Sequence, residues 1–272
     1  MHSINPKISI VTPSFNQGQY IEDTIQSVLK QNYENYEHII IDGKSTDNTI
    51  AILNKYPHLV WVSEPDQGQS DALNKGFKKA TSEWVIWLNA DDILLPGSIK
   101  KYADSITKNP IADVIHGHMQ FFMDGTSTIA KRQYFNNFSR LKIIFKVVIP
   151  PTTGTLFRTK ILLENPLNLA YHYMMDGEWY MRCSNFINVL RINDFLVKFR
   201  ISSSNKTSVQ ILTGKQNKQQ DYEAQELYNT YTVPFLENLP KKFQKIYFNV
   251  IRFFLININR IQKLKYYLNS IN

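Results

Sequence analysis

Short apolar runs alternate with amphipathic stretches over the first third of the chain. Lys7-Ile8-Ser9-Ile10-Val11 reads as a β-branched strand that stops at the turn-rich segment TPSFNQGQY. Apolar residues at Tyr20, Ile21, Ile25, Val28 and Leu29 then follow helical spacing, so the order is strand, loop, helix. The unit recurs. His38–Ile41 is a strand, DGKSTDNT is a polar loop with Asp47 as a helix cap, and Thr49–Tyr56 is a helix. Leu59–Val62 is a third strand, SEPDQGQSD a loop, Ala72–Ala80 a helix, and Trp84–Leu88 a fourth strand. Strands apolar on both faces, separated by helices, predict a parallel sheet covered on both sides. Ligands of such sheets lie beyond the carboxyl ends of the strands. The polar segments 12–17, 42–47, 64–71 and 89–92 all fall at those ends and are expected to converge on one site.

Beyond Pro96 the rhythm loosens. Residues 99–106 and 174–190 read as helices, 113–123 and 127–133 as strands of a mixed portion, and 189–200 as extended chain. VVIPPTTGTLFR suggests a loop entering another strand. From Phe243 to Leu268, Tyr247, Val250, Ile251, Phe254, Ile258, Ile261, Leu264 and Leu268 recur at helical spacing.

Composition adds exclusions. The 272 residues are 43% hydrophobic and 20% charged, which is globular usage and excludes general disorder. A single cysteine, Cys183, excludes an internal disulfide framework and reads as a packing residue. No leader sequence and no run of about 18 apolar residues stands out. The expected location is cytoplasmic, or peripheral on the inner face of the plasma membrane. The net charge of +8 is almost wholly that of residues 241–272, which carry seven Lys or Arg and no acid. A charge confined to one tail argues against nucleic acid as a partner. It suits an amphipathic helix on a membrane surface, or one packed against the domain or a second subunit.

The candidate chemistry begins with Asp91 and Asp92 behind Trp84–Leu88. Paired carboxylates at a strand end can hold Mg²⁺ or Mn²⁺ and through it nucleotide phosphates, or can simply start a turn. Context separates these. TPSFN, IIIDGKSTDNT, PDQGQSDALNKGF and WLNADD, in this order and each at a predicted strand end, resemble the nucleotide-binding half of the family 2 glycosyltransferases. The resemblance is close over residues 7–97 and looser to about 208. It implies an α/β fold of the GT-A type, a Rossmann-like, mostly parallel sheet flanked by helices, here with a helical C-terminal extension. Residues 1–97 would form the nucleotide-sugar-binding half, 98–210 the acceptor-binding half, and 211–272 the extension.

The resemblance also implies roles. Pro13, Ser14, Phe15 and Asn16 would line the base and ribose pocket, and Asp42 would pair with a pyrimidine imide, favouring a UDP-sugar. Asp91 would ligate Mn²⁺ or Mg²⁺, and Asp92 and Ala90 would stand beside it. Asp176, in YHYMMDGEWYMRC, would be the base of an inverting, non-processive transfer to a glycan or lipid-linked acceptor. Read from the residues alone, Asp176 could equally cap a helix, with Glu178 as the rival base. His172 and Arg200 or Lys206 are candidate acceptor or diphosphate contacts. His116 and His118 alternate on a strand but lack a third ligand.

Departures from the family pattern are informative. Where Asp-Asp-Gly-Ser-x-Asp is common, this chain has Asp42-Gly43-Lys44-Ser45-Thr46-Asp47, so the second acid and the glycine are changed. Ala72-Leu73-Asn74 replaces Ala-Arg-Asn, leaving Asp71, Asn74 or Lys75 to meet the nucleotide. Asn89 stands in the first acid position of Asp-x-Asp. These changes leave open a second reading, a catalytically weak or inactive nucleotide-sugar-binding or scaffold protein of the same fold. A sugar nucleotidyltransferase should carry a Gly- and Arg-containing phosphate loop after the first strand, which TPSFNQGQY is not.

Overall fold

The structure is a computed structural model that describes residues 5–126, 128–145, 149–203, 205, 208, 217–237 and 239–269. The side chains of residues 235, 241, 242 and 245 and of those beyond residue 260 lie outside that description, and so does Lys206.

The strand and helix alternation read from the sequence is present. β1 (Ile8–Ser14), β2 (Tyr36–Asp42), β3 (Val60–Ser63) and β4 (Trp84–Trp87) pair in parallel in the order β3-β2-β1-β4. Helices α1 (Ile21–Leu29), α2 (Thr49–Leu53) and α3 (Gln69–Lys79) connect them. Period-two alternation with both faces covered explains the continuous apolar runs. Ile8 and Ile10 pack on one side with Tyr102 and Ile106, whereas Val11 packs on the other with Phe77 and Trp179. Full burial of such side chains stabilises by about 1.5–3 kcal/mol each, so this block carries much of the core. The edge strand β3 departs from the pattern: Val60 is exposed and the other three residues are half-buried.

The expected mostly parallel sheet is in fact mixed. β8 (Thr155–Arg158) pairs antiparallel with β4, and β6 (Val114–Met123) pairs antiparallel with β8. β9 (Val189–Ile201) runs parallel to β6, and β5 (Ile93–Leu94) antiparallel to β9. β7 (Ile129–Gln133) hangs off β6 as a hairpin. Parallel pairing needs a long crossover, usually a helix, and the regular alternation stops after β4. The short turn after β6, with Gly125 at φ 72°, permits only an antiparallel return.

The remaining helices are α4 (Ser98–Lys108), α5 (Arg140–Ile144), α6 (Thr159–Glu164) and α7 (Met175–Cys183). α7 is shorter than the helix expected over 174–190. The Asn188 N–H donates to the Asp113 carboxylate at 2.8 Å, which ties the following chain to β6 and starts β9 at Val189.

A helix at Lys218–Leu227 leads to the C-terminal helix Lys241–Asn269. Phe248, Ile251 and Leu255 of the latter pack on Ile144, Phe145 and Leu236. A separate stripe of Ile246, Val250, Phe253, Phe254 and Ile258 faces solvent, with Phe253 65% and Phe254 61% exposed. The apolar positions of this segment therefore divide between two faces. Among the described residues no helix is long and apolar enough to cross a membrane.

Candidate active site

The register of the parallel block brings its loops together. Ser14 pairs with Asp42, and Asp42 with Ser63, so three strands end at one level. Beyond that level a cleft of about 880 Å³ opens, a volume suited to a small-molecule substrate. All four polar segments expected to converge contribute to its wall: Ser14, Gly43, Asp66 and Asp91 come one from each. The wall also takes in Thr152 and Thr153 from the loop before β8, His172 from the segment before α7, and Asp176 from the first turn of α7.

Of the residues singled out from the sequence, Pro13, Ser14, Phe15, Asn89, Ala90, Asp91, His172 and Asp176 line the cleft. Others are placed elsewhere and bonded there. Asp42 is fully buried; Oδ2 accepts from the Ser45 N–H and the Ser63 hydroxyl, and Oδ1 from the Ser45 hydroxyl. Asn16, at φ 51°, accepts the Thr46 N–H on Oδ1 and donates its own backbone N–H to the Ser45 hydroxyl oxygen, tying two loops together. Asn74 clamps the Leu167 peptide with both amide atoms, at 2.8 and 2.9 Å. Lys75 bridges Asp71 and Glu64, each at 3.2 Å.

Arg200 does not reach the cleft either. Its guanidinium is buried between the rings of Tyr20 and Phe122, 4.7 Å from each centroid, and pairs with Asp23 at 2.7 Å and Asp124 at 3.1 Å. Its Nε donates to the Asp91 carbonyl and its backbone N–H to Asp92 Oδ1, both at 3.0 Å. With each guanidinium nitrogen bonded, to the Asp91 carbonyl, Asp124 and Asp23, and with two rings against it, Arg200 holds the Asp91-Asp92 turn in place and is absent from the residues lining the cleft. Glu178 is likewise occupied, by Arg182 at 2.7 Å and the Tyr231 hydroxyl at 3.0 Å.

Asn89 is a strut. Its Oδ1 accepts from Trp87 Nε1 at 2.9 Å and Gln69 Nε2 at 3.0 Å, and its Nδ2 donates to Asp92 Oδ2 at 3.2 Å. With both acceptor directions filled, that oxygen is not offered to a metal. Asp92 lies beneath the wall, fully buried, with a carboxyl held well above the usual range first by burial and then by the neighbouring Asp91. Burial also raises Asp91, whose Oδ2 accepts from Asn205 at 2.8 Å. Among the described residues no three His, Cys, Asp or Glu side chains gather to enclose an ion. Asp91, the one carboxylate of this turn that lines the cleft, fits Mg²⁺ or Mn²⁺, which take one or two protein carboxylates and fill their shell with phosphate oxygens and water; it does not fit a structural zinc.

Asp176 sits in the first turn of α7, half-buried at the cleft wall, where its Oδ1 accepts the Gly177 N–H at 2.7 Å. Burial raises its carboxyl above the ordinary value against the opposing hydrogen bonds of Gly177 and Thr152. His116 and His118 are buried and held neutral by desolvation; His118 bonds Asn193 at 3.0 Å, and neither lines the cleft. Cys183 is buried and free, its thiol pushed up to about 12, as a packing residue should be.

Asp66 was not singled out from the sequence, although the acid after a third strand end was a usable signal. It lines the cleft, with Oδ1 accepting the Gly68 N–H at 2.8 Å.

The sequence profile described as Glycosyl transferase family 2 matches residues 9–165, more than half of the chain. The chain belongs to glycosyl transferase family 2. This family 2 chain is 34% identical over 132 residues to TuaG of Bacillus subtilis, a glycosyltransferase named for teichuronic acid biosynthesis; the match covers 46% of this chain and 52%, about half, of that relative. It is 26% identical over 189 residues to a PGL/p-HBAD biosynthesis glycosyltransferase of Mycobacterium tuberculosis, covering 65% and 70% of the two chains. Among solved structures, S. aureus TarS 1-349 in complex with UDP-GlcNAc superposes with a TM-score of 0.62 at 19% identity, over 88% of this chain and 77% of that one. The Pyrobaculum calidifontis mannosyltransferase PcManGT, in complex with GDP-Man and Mn²⁺, gives 0.57 at 16% identity, over 76% and 60%. These likenesses show the fold, a mixed sheet flanked by helices as in the GT-A glycosyltransferases.

Proposed function

We propose that the protein is an inverting glycosyltransferase that moves a sugar from a UDP-sugar to a hydroxyl of a glycan or lipid-linked acceptor. The observation that carries this reading is the acid set of the cleft: Asp66, Asp91 and Asp176 are the carboxylates of its wall, one from each of three separate segments. Residues 1–97 hold the donor, 98–210 the acceptor, and 211–272 form the extension.

Asp176 accepts the proton of the acceptor hydroxyl while that oxygen bonds to the anomeric carbon. The bond from that carbon to the β-phosphate oxygen breaks on the opposite side, and the nucleoside diphosphate leaves with its electron pair. Asp91 would hold Mn²⁺ or Mg²⁺, which neutralises charge on the departing diphosphate when bound. Asp92, Asn89 and Arg200 keep the Asp91 turn rigid, and His172 stands close enough to the wall to contact acceptor or phosphate. One displacement suffices, so no covalent enzyme intermediate is needed.

The test is a donor screen. UDP-, GDP- and dTDP-sugars are incubated with the protein and Mn²⁺, and free nucleotide is measured. Release from a UDP-sugar that Asp176→Asn removes supports the reading. Nucleotide binding with no release, identical in wild type and Asp176→Asn across acceptors, would leave a sugar-nucleotide-binding scaffold instead.

The C-terminal helix seats the protein on an anionic membrane surface. Its exposed apolar stripe belongs to a segment, residues 241–272, whose sequence holds seven Lys or Arg and no acid, and a second copy of so basic a segment on the same stripe would bring like charge to like. Co-sedimentation with phosphatidylglycerol-containing vesicles, lost in Phe253→Ser/Phe254→Ser and in high salt, supports this. A lipid-independent dimer in sedimentation velocity refutes it.

A further inference from the structure

The carboxylate missing at position 43 has returned from another strand end. An added Cβ at Gly43 would stand 2.5 Å from Asp66 Oδ2, so the Asp66 carboxylate occupies the space that a side chain at 43 would need. Asp42, beside it, is closed within its own loop by Ser45 and Ser63. Asp66 is not. Its Oδ1 is fixed by the Gly68 N–H, and its Oδ2 has no hydrogen-bond partner among the described residues.

The surroundings specify what that oxygen meets. Phe15 lines the same end of the cleft and is 59% exposed, a ring face free to stack on a base. Ser14, also in the wall and only 4% exposed, has a buried hydroxyl without a partner among the described residues. A buried hydroxyl left unpaired costs free energy that a ligand atom can recover. A stacking plate, a hydroxyl that can donate or accept, and one acceptor-only oxygen suit a planar heterocycle presenting a single N–H flanked by carbonyls.

We infer that Asp66, and not Asp42, reads the nucleobase, accepting the imide N–H of uracil or thymine through Oδ2. The inference rests on the nucleotide-sugar reading of this cleft and names the residue that sets its base specificity. Guanine fits less well, because its adjacent N1–H and amino donors need both carboxylate oxygens and one is already taken by Gly68. Cytosine presents an acceptor where the imide has its N–H, and would set a lone pair against the carboxylate.

A specificity exchange tests this. Asp66→Asn keeps the acceptor oxygen for Gly68 and replaces Oδ2 by an amide donor, which suits the cytosine N3 acceptor and opposes the uracil N–H. Calorimetric titration of the full chain with UDP and with CDP should show wild type preferring UDP. In Asp66→Asn, UDP affinity should fall about tenfold or more, the scale of one hydrogen bond to a charged group, while CDP affinity rises. Asp66→Ala should bind both weakly and with little preference. A UDP to CDP ratio unchanged in both variants, with UDP still bound, overturns the role of Asp66 alone. Wild type that binds no nucleoside diphosphate overturns the donor reading and this inference with it.

Discussion

The two sides of the cleft are built on opposite plans. On the donor side, side chains that match the family motifs are mostly spent on one another: Asp42 on two serines, Asn16 on the neighbouring loop, Asn89 on Trp87, Gln69 and Asp92. On the acceptor side, the hydrogen-bond partners of Asp176 among the described residues are the N–H of Gly177, its own N–H and the Thr152 hydroxyl, and burial raises its carboxyl against them. Full satisfaction gives a fixed shape, against which a nucleotide loses little on binding. Incomplete satisfaction leaves a carboxylate basic enough to take a proton. Substitutions on the first side should thus change stability and affinity, and on the second the rate.

Asp91 is where this contrast is most exposed to failure, because it is a donor-side residue that still faces the cleft. Asp91→Ala should reduce turnover by about a thousandfold or more, the scale on which charge stabilisation of a leaving group acts, with the fold intact by circular dichroism. Residual activity that no longer responds to Mn²⁺ fits; activity within tenfold of wild type removes Asp91 from the chemistry.

Next in size is Asp176→Asn, which should lower kcat by about 10²–10⁴ while the donor KM stays near wild type. The wild-type kcat/KM should rise with pH through a midpoint above the ordinary carboxylate value of 3.8 and then level off, because only the ionised group accepts a proton. Glu178→Gln is the counterpart: its carboxylate is committed to Arg182 and Tyr231, so it should cost stability and leave kcat nearly unchanged. A larger kcat loss from Glu178→Gln than from Asp176→Asn would exchange the two roles.

Asn89→Ala should sit lower still. Removing it unpairs Trp87 Nε1 and takes one donor from buried Asp92, a cost of about 1–3 kcal/mol in stability, and turnover should fall less than about tenfold. A loss as deep as that of Asp91→Ala would mean that Asn89 meets the substrate directly.

How far the sequence discloses this arrangement follows from what makes each feature legible. β1, β2 and β4 are buried on both faces, which imposes continuous apolar runs, and they could be read with their ends. β5 has two residues and pairs with β9 about a hundred positions away, so it has no periodic signal of its own. Convergence of four loops follows from parallel topology, but which loop side chain faces the cleft does not. That depends on backbone turns such as Asn16 at φ 51° and Lys44 at φ 67°, the latter holding a left-handed conformation where the family pattern has glycine. Matching by position points to Asp42, which is buried and bonded within its own loop, whereas the Asp66 carboxylate, from the loop after β3, takes the space beside Gly43, a closeness that no spacing in the sequence discloses.

The smallest expected effect separates a raised carboxyl from a merely buried one. A native carboxyl raised above its unfolded value makes the folded state bind more protons than the unfolded state between the two values. Asp176 therefore contributes stability at low pH that is lost as pH rises through its folded value, and above it the ionised group weighs against the fold. Asp176→Asn removes that burden. Its Tm should exceed wild type by a few degrees at neutral pH, and the gain should vanish below about pH 3.8. A variant less stable than wild type at neutral pH would mean that the ionised carboxylate is held by partners as firmly as those of the donor side, and the contrast between the two sides would fail at the residue on which it depends.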